Sequence, residues 1–317
     1  SVAIGVSALL SQNFTTATNS FNTAVGFEAG YGMTTGVQNT LIGARAADAI
    51  TDADRNVGVG YNALGINTVG SRSVAVGTAA LSTQNPATAT DMYNVAVGDD
   101  AGKQITTGVR NTLIGGLAGD ALEDSGSNVA IGYDSMGANT SGSDNVAVGR
   151  ATLASFNVTT TTSTYNTAVG HQAGNAVTTG IFNTIIGGLA GDALTDADYN
   201  VAVGKSALTT ETLGSRSTAI GTSALSNQNN TTATDVYNTA VGFEAGGSVT
   251  TGVQNTLIGA QVGDALTDAD FNTAIGYLAL STDTLGSKST AIGYAALKDQ
   301  NFTTATDSFN VAVGHLA

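Results

Sequence analysis

The pentapeptide Asn128-Val129-Ala130-Ile131-Gly132 is one copy of a motif that recurs along the whole chain. Its general form is Asn or Ser, then Thr or Val, then a small or apolar residue, then Val or Ile, and finally Gly. Such self-similarity is the signature of a repeat architecture, so the motif decides the fold. The 18 copies begin at residues 1, 22, 39, 56, 73, 94, 111, 128, 145, 166, 183, 200, 217, 238, 255, 272, 289 and 310.

The spacing between the copies is itself periodic. Successive copies start 21, 17, 17 and 17 residues apart, and this set recurs as a super-repeat of 72 residues. We call one super-repeat a cassette; its 21-residue interval is the first coil, and the 17-residue intervals are the second to fourth coils. A coil this short cannot hold a βαβ unit of about 30 residues or a propeller blade of about 40 residues. The sequence therefore predicts one continuous domain over residues 1–317, with four cassettes and a partial fifth, as a segment of a longer fibre.

Alternation within the pentapeptide predicts an all-β fold, a parallel β-solenoid with 17- and 21-residue coils. The second and fourth residues are β-branched in all 18 copies, which is typical of strands. Turns that stack at about 4.8 Å bring the fourth-place residues into file and let the first-place Asn side chains form an amide ladder. We expect the fourth-place residues to form the structural core: Ile4, Val25, Ile42, Val59, Val76, Val97, Ile114 and Ile131.

Residues outside the pentapeptide complete the predicted interior. A small residue, usually Ala, stands at the eighth place of each coil, and apolar residues recur at the twelfth place of the second and third coils. The fifth-place Gly permits a corner with positive φ. The predicted inward residues at the twelfth place are Met33, Ile50, Ile105, Leu122, Val177, Leu194, Val249 and Leu266.

Composition excludes several classes of protein. The chain lacks cysteine, which removes disulfides, iron–sulfur ligation and cysteine-ligated zinc. A net charge of -14 with only 10 basic residues argues against nucleic-acid binding. No apolar run approaches the roughly 18 residues of a membrane span. The low charged fraction of 11% leaves broad faces of Ala, Gly, Thr and Asn, which favour contact between chains, and we expect a homo-oligomer.

Two sets of segments carry a family resemblance. Residues 1–5, 73–77, 128–132 and 238–242 resemble the head repeats of YadA-like trimeric autotransporter adhesins, and residues 272–280 are similar to the repeats of phage tail fibres. The resemblance implies a left-handed β-roll, a homotrimer, and surface attachment to a glycan or protein receptor. It places the protein outside the cell, on a virion or a bacterial surface. Adhesin heads usually have shorter coils, which favours a non-enzymatic shaft of the tail-fibre type.

Acidic turns in the third coils are the candidate metal sites. Carboxylates two residues apart in a loop are ligands that calcium accepts, so calcium is the one candidate cofactor. The glycine-spaced calcium patterns are missing, and solvated, mutually repelling turns are the favoured interpretation. The candidate ligands are Asp192, Asp196, Asp198, Asp264, Asp268 and Asp270.

The long first coils offer an alternative function. Each carries a polar loop followed by an aromatic residue, and such loops can contact a glycan repeatedly, as in a lateral adhesin that acts by avidity. The favoured interpretation is that the aromatic residue covers the roll or a neighbouring chain. Asn-x-Thr triplets in these loops are expected by chance in a Thr-rich chain. The aromatic residues are Phe21, Tyr93, Tyr165, Tyr237 and Phe309.

We predict that the chain is not an enzyme and has no catalytic residue. His171 and His315 occupy one repeated place, where other copies have Phe27, Asp99 and Phe243, so they make poor catalytic candidates. Four similar shallow turns do not form a cleft that excludes water.

Overall fold

A computed structural model describes residues 1–317. The chain is all-β, contains no helix, and has 26 short strands. It divides into two compact units, residues 1–164 and 165–317. Each unit is a parallel β-solenoid with nine three-residue strands, one for each pentapeptide, so the chain has about 18 turns.

The strands of the first unit are β1 Val2–Ile4, β2 Thr23–Val25, β3 Thr40–Ile42, β4 Val57–Val59, β5 Gly70–Ser71, β6 Val74–Val76, β7 Thr90–Asp91, β8 Val95–Val97, β9 Thr112–Ile114, β10 Val129–Ile131, β11 Gly142–Ser143, β12 Val146–Val148 and β13 Thr162–Ser163. The strands of the second unit are β14 Thr167–Val169, β15 Thr184–Ile186, β16 Val201–Val203, β17 Gly214–Ser215, β18 Thr218–Ile220, β19 Thr234–Asp235, β20 Thr239–Val241, β21 Thr256–Ile258, β22 Thr273–Ile275, β23 Gly286–Ser287, β24 Thr290–Ile292, β25 Thr306–Asp307 and β26 Val311–Val313. The two-residue strands pair between the fourth coil of one cassette and the first coil of the next, β5 with β7, β11 with β13, β17 with β19 and β23 with β25.

The pentapeptides pair in register, as the repeat predicts. Ile4 lies opposite Val25, Val25 opposite Ile42, and Ile42 opposite Val59. The second unit continues the rule, for example between Ile186 and its partner in the next turn. Parallel pairing of equivalent residues gives every turn the same hydrogen-bonding environment. The prediction that the fourth-place residues of successive turns lie one above another is confirmed.

The residue that points inward, however, is the third of the pentapeptide, which is the middle residue of each three-residue strand. Ala24, Leu41 and Ala75 are fully buried, whereas the fourth-place side chains point out of the turn. The prediction that the fourth-place residues form the core of the chain is therefore wrong. Of the eight predicted core residues, Ile4, Ile42, Val97 and Ile114 are 59, 40, 37 and 39% exposed, and Val25, Val59, Val76 and Ile131 are half-buried.

Limited room inside the turn explains this reversal. Leu64, Leu81 and other side chains from the corners are fully buried and occupy the interior. A Cβ added to Gly58, the middle residue of β4, would lie 3.5 Å from Leu41 Cδ2 and 3.7 Å from Leu64 Cδ1. The strand can therefore contribute little more than Ala in most turns. Since successive side chains point to opposite faces, the bulkier Val and Ile residues lie outside.

The corner residues form the rest of the interior, as predicted. The eighth-place Ala29, Ala46, Ala63 and Ala80 are fully buried. The eight twelfth-place residues named above, from Met33 to Leu266, are also fully buried. Apolar strand, eighth-place and twelfth-place side chains thus fill the interior of the second and third coils, whereas the twelfth place of the first and fourth coils holds mostly polar residues.

The predicted amide ladder is present and buried. The backbone N–H of Asn39 donates to Oδ1 of Asn22 at 2.8 Å, and the N–H of Asn56 donates to Oδ1 of Asn39 at 2.9 Å. Nδ2 of most first-place Asn residues also donates to a carbonyl 14 residues later, as Asn22 does to Gly36 at 2.7 Å. One side chain therefore satisfies two backbone groups that would otherwise be buried without a partner.

The fifth-place glycines allow successive turns to approach closely. Gly187 has a φ of 137°, and a Cβ added there would lie 2.4 Å from the carbonyl oxygen of Gly204. The next residue, Gly188, has nothing within 4 Å of such a Cβ. A side chain is therefore excluded at Gly187 but not at Gly188, in agreement with the sequence, where the fifth place is always Gly and the sixth place varies.

We predict that Gly187→Ala lowers the free energy of unfolding by about 3 kcal/mol, because strain and overpacking each cost about 1–3 kcal/mol. Gly188→Ala is the matched control and should leave stability within about 0.5 kcal/mol of the parent. Thermal unfolding followed by circular dichroism measures both. Equal midpoints for the two variants would contradict the close approach of the turns.

Candidate interaction surface

An apolar stripe covers the outer side of the strands. In each turn, the second-place Val or Thr and the fourth-place Val or Ile lie side by side and remain at least partly exposed. Neighbouring strands repeat this pair at a spacing of about 4.8 Å. We call these second- and fourth-place side chains the β-branched stripe. In the second unit its most exposed members are Ile186, Ile220 and Ile258, at 39, 39 and 38%, and Val311 and Val313 at the last strand.

The stripe carries no charge, which distinguishes it from the rest of the surface. All second- and fourth-place residues are Val, Ile or Thr, and the ion pairs of the chain lie elsewhere, such as Arg45 with Glu28 at 3.1 Å. A contiguous apolar patch of this kind is a typical protein-binding surface. Sequence reasoning identified its residues correctly but assigned them to the interior.

A column of stacked side chains runs beside the strands. It is formed by the residues that immediately precede the pentapeptides. Tyr165 stacks on Phe182 with ring centroids 5.7 Å apart, and Phe182 stacks on Tyr199 at 5.0 Å. The guanidinium of Arg216 then lies 4.7 Å from the Tyr199 centroid and 5.9 Å from that of Tyr237. The column is therefore continuous over five turns of the second unit.

The predicted loop aromatics belong to this column in other cassettes as well. Arg72 lies over the ring of Tyr93 at 5.6 Å, and Lys288 lies over Phe309 at 5.3 Å. These rings are exposed, but a face of each is in contact with a neighbouring turn. A sugar that stacks on an aromatic face would compete with those contacts. The geometry therefore favours a role in covering the roll over glycan binding.

The candidate calcium ligands are engaged in contacts between turns. Oδ1 of Asp198 accepts the backbone N–H of Ile181 at 2.8 Å, and Oδ1 of Asp270 accepts that of Val253 at 2.7 Å. Asp192 accepts the hydroxyl of Thr209 at 2.5 Å. The two remaining partnered carboxylates, Asp196 and Asp268, accept the hydroxyls of Thr179 and Thr251.

No group of three or more His, Asp or Glu side chains that could hold a metal ion occurs in the structure. Five of the six candidate carboxylates accept hydrogen bonds from backbone or hydroxyl groups of the preceding or following turn.

Asp264 differs from its equivalents. Its Oδ1 atom is buried without a hydrogen-bond partner, although Asp192 in the same place of the preceding cassette binds Thr209. Burial raises the pKa of Asp264, and the nearby carboxylate of Glu244 raises it further, while a backbone hydrogen bond lowers it. Asp264 and Glu244 border a polar depression together with Ser223 and Asn227.

We predict that Asp264→Asn stabilises the chain at pH 7 and that this gain disappears at low pH. The raised pKa means that the folded chain binds a proton more tightly than the unfolded chain. Stability therefore increases as the pH falls through the raised pKa, and it levels off below the ordinary value of 3.8. Thermal midpoints at pH 7 and pH 3 measure the effect. Asp192→Asn is the control, since it loses an acceptor for Thr209 and should not stabilise; a gain in both variants would contradict the assignment.

A buried polar network in the first coils was missed by sequence reasoning. Gln84 is fully buried, and its Oε1 accepts the hydroxyl of Ser73 at 3.1 Å and Nδ2 of Asn94 at 3.0 Å. The third cassette has Phe156 in the place of Gln84 and Asn145 in the place of Ser73. A comparison of the cassettes could have revealed this network, because the other four first coils all combine Ser at the first place with Gln at the twelfth place.

In the third cassette, Thr164 is the hydrogen-bond partner of the first-place residue Asn145, in place of the glutamine. Its hydroxyl donates to Oδ1 of Asn145 at 2.8 Å, whereas the equivalent place before β8 holds the apolar Met92. The ring of Phe156 lies against Gly142, whose added Cβ would be 2.7 Å from it, and Gly70 leaves the same space beside Gln84. Two alternative sets of three residues therefore occupy the same places: Ser73, Gln84 and Met92 in the second cassette, and Asn145, Phe156 and Thr164 in the third.

We predict that Gln84→Phe alone lowers the free energy of unfolding by about 2 kcal/mol, because a buried group left without a partner costs about 1–3 kcal/mol. The triple variant Ser73→Asn, Gln84→Phe, Met92→Thr reproduces the third cassette and should recover most of the loss. Chemical unfolding of the three proteins measures this. A triple variant that is less stable than the single one would show that the sets are not interchangeable.

Buried carboxylates occur in the fourth coils of the last two complete cassettes. Oε1 of Glu211 accepts the backbone N–H groups of Thr212, Gly214 and Asn230 at 2.8–2.9 Å, and Oε2 accepts Nε2 of Gln228 at 2.8 Å. Asp283 occupies the same place in the next cassette, and Asn67 and Asn139 do so in the first two. Because each oxygen has donors, the carboxylate of Glu211 serves as a loop cap.

The two histidines show no catalytic arrangement with each other. The ring of His315 stacks on Tyr294 with centroids 4.8 Å apart, and that of His171 belongs to a turn two cassettes earlier.

The structure contains no helix that could cross a membrane. Comparisons with protein-family models and with curated proteins found no match for this chain.

Proposed function

We propose that this chain is a segment of the non-enzymatic structural shaft of an attachment fibre, built as a homotrimer. The observation that supports the proposal best is the exposed, uncharged β-branched stripe. A solenoid with a narrow interior keeps its largest β-branched side chains outside, and these gain stability only when something covers them. A second and third copy of the same chain bring an equally apolar stripe to cover them.

The energy available from this contact is large. Complete burial of one Val or Ile side chain contributes about 1.5–3 kcal/mol, and the stripe repeats in every turn. Part of each side chain is already buried in the single chain, so the gain in each turn is smaller than this value. Its repetition along the sheet still favours a stable, extended interface over a transient one.

The resemblance to YadA-like head repeats and tail-fibre repeats supports the number three and a left-handed roll, and the spacing of the pentapeptides supports coils of 17 and 21 residues. In this arrangement three stripes face one axis, and the stacked column and the first-coil loops lie away from it. The role of the chain is mechanical: parallel ladders resist bending and proteolysis, and length increases with the number of cassettes. The fibre extends from a virion or a bacterial cell and holds a receptor-binding tip away from that surface.

The alternative is a lateral glycan-binding adhesin that acts through the first-coil loops. The polar loops and exposed aromatic residues support it, and the contacts on the ring faces weigh against it. A glycan array probed with this segment separates the two functions, because a shaft gives no signal and an adhesin does.

We predict that the protein is trimeric in solution and that Ile114→Asp weakens the trimer, so that it dissociates at a lower denaturant concentration than the parent. Three carboxylates would then face one another at the axis, where they lose water and repel. Light scattering coupled to size exclusion measures the mass at each denaturant concentration, and circular dichroism checks that β-structure is retained. Tyr133→Asp is the control: Tyr133 is 56% exposed but lies outside the stripe, so this variant should dissociate at the same denaturant concentration as the parent. A monomeric parent protein with intact β-structure would end the proposal.

A further inference from the structure

Asn-x-Thr triplets occur at one repeated place of the first coils, immediately after the twelfth residue. Four of the five loops have the triplet, and the middle residue differs among them. The exception is the second loop, where Asn85 is followed by Pro86 and Ala87. The four triplets are Asn13-Phe14-Thr15, Asn157-Val158-Thr159, Asn229-Asn230-Thr231 and Asn301-Phe302-Thr303.

The structure presents these triplets to solvent. Asn13, Asn229 and Asn301 are exposed and Asn157 is half-buried, and the hydroxyl-bearing residue of all four triplets is exposed. The first-place Asn residues, in contrast, are buried, except for Asn310 in the last turn.

Contacts with the preceding turn orient the asparagine side chains. Oδ1 of Asn157 accepts the hydroxyl of Thr140 at 2.8 Å, Oδ1 of Asn229 accepts that of Thr212 at 3.1 Å, and Oδ1 of Asn301 accepts that of Thr284 at 3.3 Å. In these three asparagines it is Oδ1 that makes the contact with the preceding turn. Nδ2 is the atom that a transferase would modify, and none of these contacts uses it.

Two further triplets of the same pattern are buried. Asn139, followed by Thr140 and Ser141, is fully buried, and its Nδ2 donates to the carbonyl of Gly142 at 2.9 Å. Asn230, followed by Thr231 and Thr232, is 6% exposed, and its Nδ2 donates to Oε2 of Glu211 at 2.9 Å. Sequence pattern alone does not distinguish these two from the exposed four.

We propose that Asn13, Asn157, Asn229 and Asn301 are acceptor sites for N-linked glycosylation of the folded chain. The donor is a sugar activated as a nucleoside diphosphate. Nδ2 of the asparagine attacks the anomeric carbon, the bond from that carbon to the diphosphate oxygen breaks, and Nδ2 loses one proton to solvent or to a transferase base. The products are the N-glycosyl asparagine and the nucleoside diphosphate. This inference does not depend on the shaft or the trimer.

The test incubates the folded full-length chain with a soluble asparagine N-glycosyltransferase and UDP-glucose. Peptide mapping by mass spectrometry should find one hexose on each of the four asparagines, and none on Asn139 or Asn230. The same reaction on the urea-unfolded chain, after dilution into buffer that the enzyme tolerates, should add hexose to Asn139. That result shows that folding, and not local sequence, protects this residue.

A gain-of-site variant completes the experiment. P86F with A87T gives the second loop the triplet pattern of the first and fifth loops. Phe302 lies beside Gly286, whose added Cβ would be 2.8 Å from its ring, and Pro86 lies beside the equivalent Gly70, so the larger side chain has the same space. We expect a fifth hexose, on Asn85. The proposal is overturned if the folded chain takes no hexose, if Asn139 or Asn230 is modified as fully as the four sites, or if Asn85 stays unmodified in this variant.

Discussion

The close approach of successive turns at the fifth-place glycines is the constraint on which the rest of the structure depends. Where a further turn of the same unit follows, a Cβ at these glycines would lie 2.2–2.6 Å from the carbonyl oxygen of that turn. Side chains of any size there would separate the turns and break the parallel ladder. Because the turns of a unit obey the same rule, equivalent residues of neighbouring turns are held in register and buried contacts are repeated.

This tight stacking has consequences for both faces of the strand. Corner residues such as Leu64 and Met33 fill the small interior, so the strand adds mostly Ala at its inward place. The β-branched residues are consequently displaced to the outside, where they form an apolar stripe. The same feature that makes the single turn thin therefore supplies the surface on which our proposal of a trimeric shaft is based.

Hydrogen bonds that recur from turn to turn also satisfy the buried polar groups. The first-place asparagines accept from the next turn and donate within their own, which leaves few buried backbone groups without partners. Where a first coil interrupts the series, Ser73 with Gln84, or Asn145 with Phe156 and Thr164, restores the pairing. The loops that the first coils add outside this network hold asparagines in another state: Asn13, Asn229 and Asn301 are exposed and Asn157 is half-buried. Burial thus divides one residue type into structural and modifiable groups.

The sequence by itself determined the solenoid, the pairing of pentapeptides, the amide ladder and the inward corner residues from Met33 to Leu266. It could do so because β-branched alternation and invariant glycine depend on backbone geometry, which is local and repeats in every turn. Only the tertiary structure decided which side of the strand is inside, since alternation marks two faces without measuring the room between them. It alone also showed that Asp198 and Asp270 cap backbone groups, that Arg216 joins the aromatic column, and that Asn139 is buried while Asn157 is accessible. These properties depend on which residues of neighbouring turns come into contact, and a pattern within one turn does not contain that information.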